Sequence, residues 1–349
     1  MIQQYPAALL TTTVKPQVHL GVLDLLRGFA ALCVVLFHFT GDSNAGGALA
    51  KFYSPLMRET FSWGYLGVDI FFVISGFIIP YSIWNISYKV QDFGKYMIKR
   101  VVRICPPAYC IIGFILIQWY ITDHFLHHDA KLTSSITLGQ VLSNLFFLVP
   151  LTHYKWFNGV FWTLAIEFQF YIMIGLVFKY LYIESKLPIF IFSNVLLGLA
   201  CHIPGFGGDN FLTFSPLFSM GGATLLFYKR KINKWAYLMT LIIFFGLSWS
   251  SLSLTAGLFG LVTSLIIAFV KVQHSIFKFI GTISYSLYLT HFLVGSTVEF
   301  LLSKLFSPMT EIQNVFGIVI CIVLSCAASY VYYLLIEKPF LKIARRLKA

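Results

Sequence analysis

Residues 23–39 read LDLLRGFAALCVVLFHF. The stretch is nearly all apolar, yet Arg27 and His38 interrupt it. About 20 mostly apolar residues carry a helix across a bilayer, and residues 21–40 supply them. At ~100° per residue, the eleven steps from Arg27 to His38 make three turns plus roughly 20°. Both side chains therefore share one helix face, ~16 Å apart along the axis. Ionisable groups inside a span are costly and are functional candidates by default. The plainer alternative is a snorkelling arginine and a hydrogen-bonded core histidine.

The rest of the chain calls for the same solvent. Hydrophobic residues make up 58% of its 349 positions and charged residues 11%, against about 25% charged in a soluble domain. The expected fold is an all-α polytopic membrane protein with about ten transmembrane helices. Candidate spans are 21–40, 62–84, 104–121, 160–183, 187–202, 211–228, 235–250, 253–271, 279–302 and 312–336. The apolar segment 138–151 is too short to cross and reads as re-entrant or interfacial.

Basic residues set the expected orientation. With the N-terminus inside, outer loops hold Lys51, Arg58, Lys131, Lys155 and Lys304, five of the 25. The others fall at inner ends, including Lys229-Arg230-Lys231 and the tail Lys342, Arg345, Arg346 and Lys348. Both termini are then cytoplasmic. Residues 1–20 form an N-terminal cytoplasmic segment, without the basic start of a removable signal peptide. Residues 21–340 form one transmembrane domain, and 341–349 a basic cytoplasmic tail. The net charge of +12 is spread as loop clusters with no recognition-helix pattern, which argues against nucleic acid as a partner. The six cysteines lie in or beside apolar runs without CxxC pairs, so they read as packing residues.

Further charges recur inside the spans. Asp69 lies early in the second and Glu167 early in the fourth, both entering from outside like the outer half of the first, where His38 sits. A carboxylate beside a histidine orients it and raises its basicity, which suits a general base; a buried ion pair is the structural alternative. On the inner side, KYMIKRVVRICPPAY (95–109) places Arg100 and Arg103 on one helix face. Their planar forks match phosphate oxygens, although a positive-inside cluster has the same spacing. Pro106 and Pro107 are expected to break or bend the start of the third span. Phosphate-type ligands at one face and an acid–base group deeper in would suit a molecule with phosphates at one end and a reactive thioester on a long arm. Acyl-CoA has that shape, which the spacing permits without selecting.

Six motifs in order resemble the membrane acyltransferase-3 family. They are Arg27 with His38, GVDIFFVISGFII (67–79), Arg100 and Arg103 followed by two prolines, Trp162-Thr163-Leu164 with Glu167, ISYSLYLTH (283–291), and Glu337-Lys338-Pro339. They span nearly the whole chain. The resemblance implies an integral membrane O-acyltransferase that moves an acyl group, commonly acetyl, from cytoplasmic acyl-CoA to a hydroxyl of an extracytoplasmic glycan such as exopolysaccharide or lipopolysaccharide O-antigen. It implies His38 as catalytic base, assisted by Glu167 or Asp69, with Arg27, Arg100 and Arg103 serving the donor. An acyl-histidine intermediate is the alternative route. Acetyl-CoA is then the donor substrate, no metal is expected, and the setting is the bacterial inner membrane. Thr163 stands where the family usually has serine. The expected type is the short, membrane-only one.

Trp162, Tyr288 and His291 are candidates for binding the acceptor, with an aromatic belt and a satisfied core histidine as their structural alternatives. His124, His127 and His128, with Asp123 and Asp129, have i, i+4 metal-ligand spacing, but read better as a solvated loop. Two rivals remain. Intramembrane His, Arg and acids also mark proton-coupled transporters and flippases, although no inverted repeat is visible. A protein that keeps the fold without catalysis is the other. The acyl group, the acceptor sugar and the oligomeric state are not legible.

Overall fold

A computed structural model describes residues 21–40, 55–84, 86, 88–126, 131–184, 186–272, 274–306 and 310–347. Helices follow one another throughout, with no strand among the described residues. They are α1 (Gly21–Thr40), α2 (Pro55–Phe61), α3 (Gly67–Trp84), α4 (Phe93–Ile121), α5 (Leu138–Leu145), α6 (Phe161–Phe178), α7 (Leu187–Ala200), α8 (Phe211–Tyr228), α9 (Lys234–Ser251), α10 (Leu254–Phe269), α11 (Ser275–Leu305), α12 (Glu311–Tyr332) and α13 (Lys338–Arg346). Short polar residues start many of them. The side chains of Asn210, Asn233 and Ser253 accept from the first backbone N–H groups of α8, α9 and α10, and Thr310 with Gln313 forms a capping box on α12.

Six helical stretches are long and apolar enough to cross a membrane: Gly21–Thr40, Leu56–Trp84, Val90–Leu126, Phe161–Glu184, Phe211–Tyr228 and Glu311–Arg346. Two further apolar helices, Leu187–Ala200 and Leu254–Phe269, are shorter. Large apolar side chains such as Trp235 and Leu335, each 71% exposed, point away from the bundle, as a lipid-facing surface requires. Segment 138–151 forms only the short α5 and a tight turn at Val149–Leu151.

The third span differs from expectation. Instead of starting near residue 104 at the proline pair, α4 begins at Phe93 and runs through Pro106 and Pro107 to Ile121. An interior proline removes one backbone donor and crowds the preceding turn. Here two tyrosine hydroxyls donate to carbonyls of this stretch, Tyr285 to Ile104 at 2.9 Å and Tyr332 to Pro107. The basic tail is helical as far as Arg346. It continues from α12 through one wide turn at Tyr333–Glu337 into α13, which packs on α4.

Glycines set the closest approaches. A Cβ on Gly76 would lie 2.1 Å from the Phe218 carbonyl oxygen, and one on Gly221 2.1 Å from that of Val73, so α3 and α8 pack backbone to backbone. Contacts also fix relative directions. Phe72 meets Phe214 and Phe218 while Tyr81 meets Tyr228, so α3 and α8 run parallel. Asn194 lies against Ser219 while Gly198 lies against Pro216, which makes α7 antiparallel to α8. Gly281 abuts Asp24 and His291 meets His38, so α1 and α11 run parallel, side by side. Tyr285 reaches Ile104 and Gln118 reaches Ser296, so α4 runs parallel to α11.

Candidate active site

Arg27, from the first turns of α1, and Arg100 and Arg103, from α4, converge at the junction of two cavities. The inner cavity, about 330 Å³, is walled by apolar side chains of α3 such as Phe71, Ile74 and Ile78, and by Glu167, Tyr171, Tyr285 and Tyr288. The outer cavity, about 440 Å³, opens among Lys95, Lys99, Tyr96, Tyr333, Glu337 and Arg345. Both share Asp24, Arg27, Ser82, Arg100 and Arg103.

Arg100 is held rather than floating. Arg100 donates to Ser82 Oγ at 2.5 Å and lies over the rings of Tyr96 and Tyr171, 5.3 and 5.4 Å from their centroids. Arg27 lies in the field of Arg103 and of three carboxylates, Glu337, Asp24 and Glu167. Glu337 is itself anchored by Ser286 Oγ, which donates to Oε2 at 2.6 Å. Glu167 accepts from Ser75 Oγ at 2.9 Å. A buried charge needs such partners to be tolerated.

His38 lies elsewhere. Its Nδ1 is 3.1 Å from Nε2 of His291, the ring centroids are 5.1 Å apart, and Phe292 covers it at 4.4 Å. His291 is fully buried, and its Nδ1 is 3.1 Å from the Leu287 carbonyl oxygen. That oxygen only accepts, so in neutral His291 the proton sits on Nδ1 and Nε2 is the acceptor. The proton between the rings then belongs to His38 Nδ1. The lone pair of His38 is left on Nε2.

The nine sequence candidates therefore separate. Arg27, Arg100, Arg103 and Glu167 gather at the cavities, and Tyr288 lines the inner one. His38 pairs with His291, and neither Glu167 nor Asp69 hydrogen-bonds to it among the described residues. Glu167 thus belongs with the arginines. Asp69 is buried on the helix face it shares with Val73 and Gly76, the face that packs on α8, whereas Phe71 and Ser75 face the inner cavity. Trp162 packs against Phe72 and Phe214 and does not line either cavity. Three contributors escaped sequence reasoning: Glu337 as a site carboxylate, Ser82 and Tyr171. Ser82 and Tyr171 carry no charge within an apolar run, so nothing in their pattern marks them.

His127, His128 and Asp129 lie outside the described residues. His124 stacks on Tyr120 at 4.1 Å, and Asp123 accepts from the backbone and hydroxyl of Thr133. Among the described residues no group of three or more His, Cys, Asp or Glu is placed to hold a metal ion.

An arginine-lined cavity reached from one end of the bundle, with a histidine pair between α1 and α11 further along, is the arrangement on which the family comparison bears. The sequence model of acyltransferase-3, described as an acyltransferase domain, matches residues 20–334. The chain belongs to the acyltransferase-3 family. It is 29% identical over 210 residues to the O-acetyltransferase OatA of Staphylococcus aureus, covering 55% of this chain and 31% of OatA. It is 30% identical over 169 residues to YrhL of Bacillus subtilis, provisionally named a peptidoglycan O-acetyltransferase, covering 43% of this chain and 22% of YrhL. Over 340 residues it is 26% identical to a second S. aureus protein provisionally named an O-acetyltransferase, covering 82% and 52%. The chain thus spans at most about half the length of these relatives. No solved structure matches it.

At one motif position threonine stands where the resemblance expects serine. Thr163 Oγ1 lies 2.7 Å from the Tyr288 hydroxyl and donates to the Val160 carbonyl at 2.9 Å. The added methyl leaves the hydroxyl where a serine would put it, tying α6 to α11 at the cavity wall.

Proposed function

We propose that this protein is a membrane O-acetyltransferase that takes acetyl-CoA from the cytoplasm and acetylates a hydroxyl of an extracytoplasmic glycan. The observation that carries this reading is the order of groups along the bundle: the arginines of α1 and α4, then an apolar-walled cavity, then the His38–His291 pair of α1 and α11 with the lone pair of His38 on Nε2. The names of the relatives, one of them provisionally a peptidoglycan O-acetyltransferase, support a wall or surface polysaccharide as acceptor.

Ten helices, α1, α3, α4 and α6 to α12, cross the membrane in this reading. The parallel pairs support it, because a parallel relation between α3 and α8 needs an odd number of crossings between them, which α4, α6 and the short α7 supply. The basic ends then face the cytoplasm together with both termini, and the setting is a bacterial cytoplasmic membrane.

The chemistry needs one proton carried between two oxygen and sulfur partners. His38 Nε2 takes the proton of the acceptor hydroxyl as its oxygen attacks the thioester carbonyl. The carbon–sulfur bond breaks, and the leaving thiolate takes the proton back from the imidazolium. Arg27, Arg100 and Arg103 hold phosphate oxygens of the donor, and Glu167 and Glu337 keep the guanidinium groups in place. Phe71 and Tyr288 wall the inner cavity on the histidine side with their rings in edge contact, centroids 5.8 Å apart, so these rings must part for the acyl arm to reach His38.

Membranes containing the protein and an extracytoplasmic glycan fraction, supplied with radiolabelled acetyl-CoA, test this directly. Label on glycan is expected with the wild type and is expected to fall roughly 10²–10⁴-fold with His38→Ala, the usual range for general-base assistance. Equal labelling by both would remove His38 as the base. Absence of labelling together with absence of CoA binding would favour a transporter.

A further inference from the structure

The outer cavity carries more positive charge than the arginine junction needs. Six cationic side chains line it, Arg27, Lys95, Lys99, Arg100, Arg103 and Arg345, against three carboxylates, Asp24, Asp92 and Glu337. Arg27 and Arg103 sit in the fields of Glu337 and its neighbours, and Lys95 is 3.9 Å from Asp92. Among the described residues none of Arg27, Arg100, Arg103, Lys99 and Arg345 has a carboxylate within ion-pair distance, but Lys99 lies in the field of two cations, Arg100 and Lys95. Lys99 and Arg345 come from different elements, the second turn of α4 and the last turn of α13, which are packed together. Tyr88, Tyr96 and Tyr333 add aromatic surface to the same wall.

Resting on the acyl-CoA reading above, we propose that this outer cavity is the site of the donor's 3′-phosphoadenosine end, with Lys99 and Arg345 binding the 3′-phosphate. Order along the ligand and order along the helices agree. Along α4 the cavity residues run Lys95, Lys99, Arg100, Arg103 and then Ile104 of the inner cavity. In CoA the 3′-phosphate and adenine are farthest from the thioester, the diphosphate is next, and the thin pantetheine arm leads to sulfur. With the diphosphate on Arg100 and Arg103 and the arm in the apolar inner cavity, the nucleoside monophosphate falls beside Lys99 and Arg345. A donor without the 3′-phosphate would leave Lys99 and Arg345, which line the same cavity, without an anion. The tail helix thereby becomes part of the donor site, which gives its docking on α4 a function beyond positive-inside orientation.

Equilibrium binding of CoA and of 3′-dephospho-CoA to purified full-length protein in nanodiscs tests this. The wild type is expected to hold CoA at least roughly tenfold tighter, the scale of a charge-assisted hydrogen bond. Lys99→Gln combined with Arg345→Gln is expected to bring CoA down to the dephospho-CoA level while binding of dephospho-CoA stays put, which also shows that the variant is folded. Equal wild-type affinity for the two ligands would overturn the subsite while leaving the donor reading intact. Equal weakening of both ligands by the double substitution, with the inner-facing variant Arg103→Gln discriminating normally, would also overturn it. No wild-type binding of either ligand would overturn the donor reading and the subsite together.

Discussion

At the scale of single residues, the histidine pair is the least ordinary feature. Two neutral imidazoles share one proton-mediated contact at 3.1 Å, and the Leu287 carbonyl fixes which atoms carry hydrogen. In the proposed mechanism His291 acts through His38, positioning it and setting its tautomer. Partners of this kind typically affect affinity or activity by 10–100-fold. His291→Ala is therefore expected to lower kcat by roughly 10–100-fold with little change in KM for acetyl-CoA, and His291→Gln, which restores an acceptor near Nε2, is expected to recover part of the loss. Initial-rate kinetics on both variants check this. An equal rise in KM would instead place His291 in donor binding.

Among elements, α3 and α8 depend on having no side chain between them. Gly76→Ala would drive a Cβ to 2.1 Å from a carbonyl oxygen of α8, which no rotamer change relieves. The helices must separate, at a cost of about 1–3 kcal/mol by the standard of overpacked cores. A lower melting temperature in detergent is expected, with the cavity-lining face of α3 displaced and CoA binding weakened. Gly113→Ala in α4 is the control, because nothing lies within 4 Å of a Cβ there. It is expected to leave stability unchanged or raise it by roughly 0.5–1 kcal/mol through helix propensity. Destabilisation of both to the same degree would show that helix packing at Gly76 has no special role.

For the whole molecule, the short α7 decides the arrangement. Its antiparallel run against α8 means that Lys155, before α6, and Lys231, after α8, are separated by three traverses of the bundle. Lys155→Cys is expected to react with a membrane-impermeant thiol reagent on intact cells, and Lys231→Cys only after permeabilisation. Reaction of both from the same side would mean that α7 does not cross. Unmodified protein measures the background from the six free cysteines, three of them buried.

Much of this was written along the chain. Apolar runs of about 20 residues give helices in a bilayer because each helix satisfies its own backbone, and the charges within them, Arg27, His38, Arg100, Arg103 and Glu167, stand out because hydrocarbon penalises them. Spacing alone put Arg27 and His38 on one face of α1, and Arg100 and Arg103 on one face of α4. Which charges meet across helices was not so determined. Glu167 could face His38 or the arginines equally well by depth, and helix rotation assigned it to the arginines, while the α8-facing side of α3 took Asp69. His291 became the partner of His38 only because α11 lies beside α1 and parallel to it, 253 residues away in sequence. Depth and face follow from local periodicity; azimuth and neighbours follow from packing, where glycine contacts and volume choose among arrangements that the periodicity leaves equivalent.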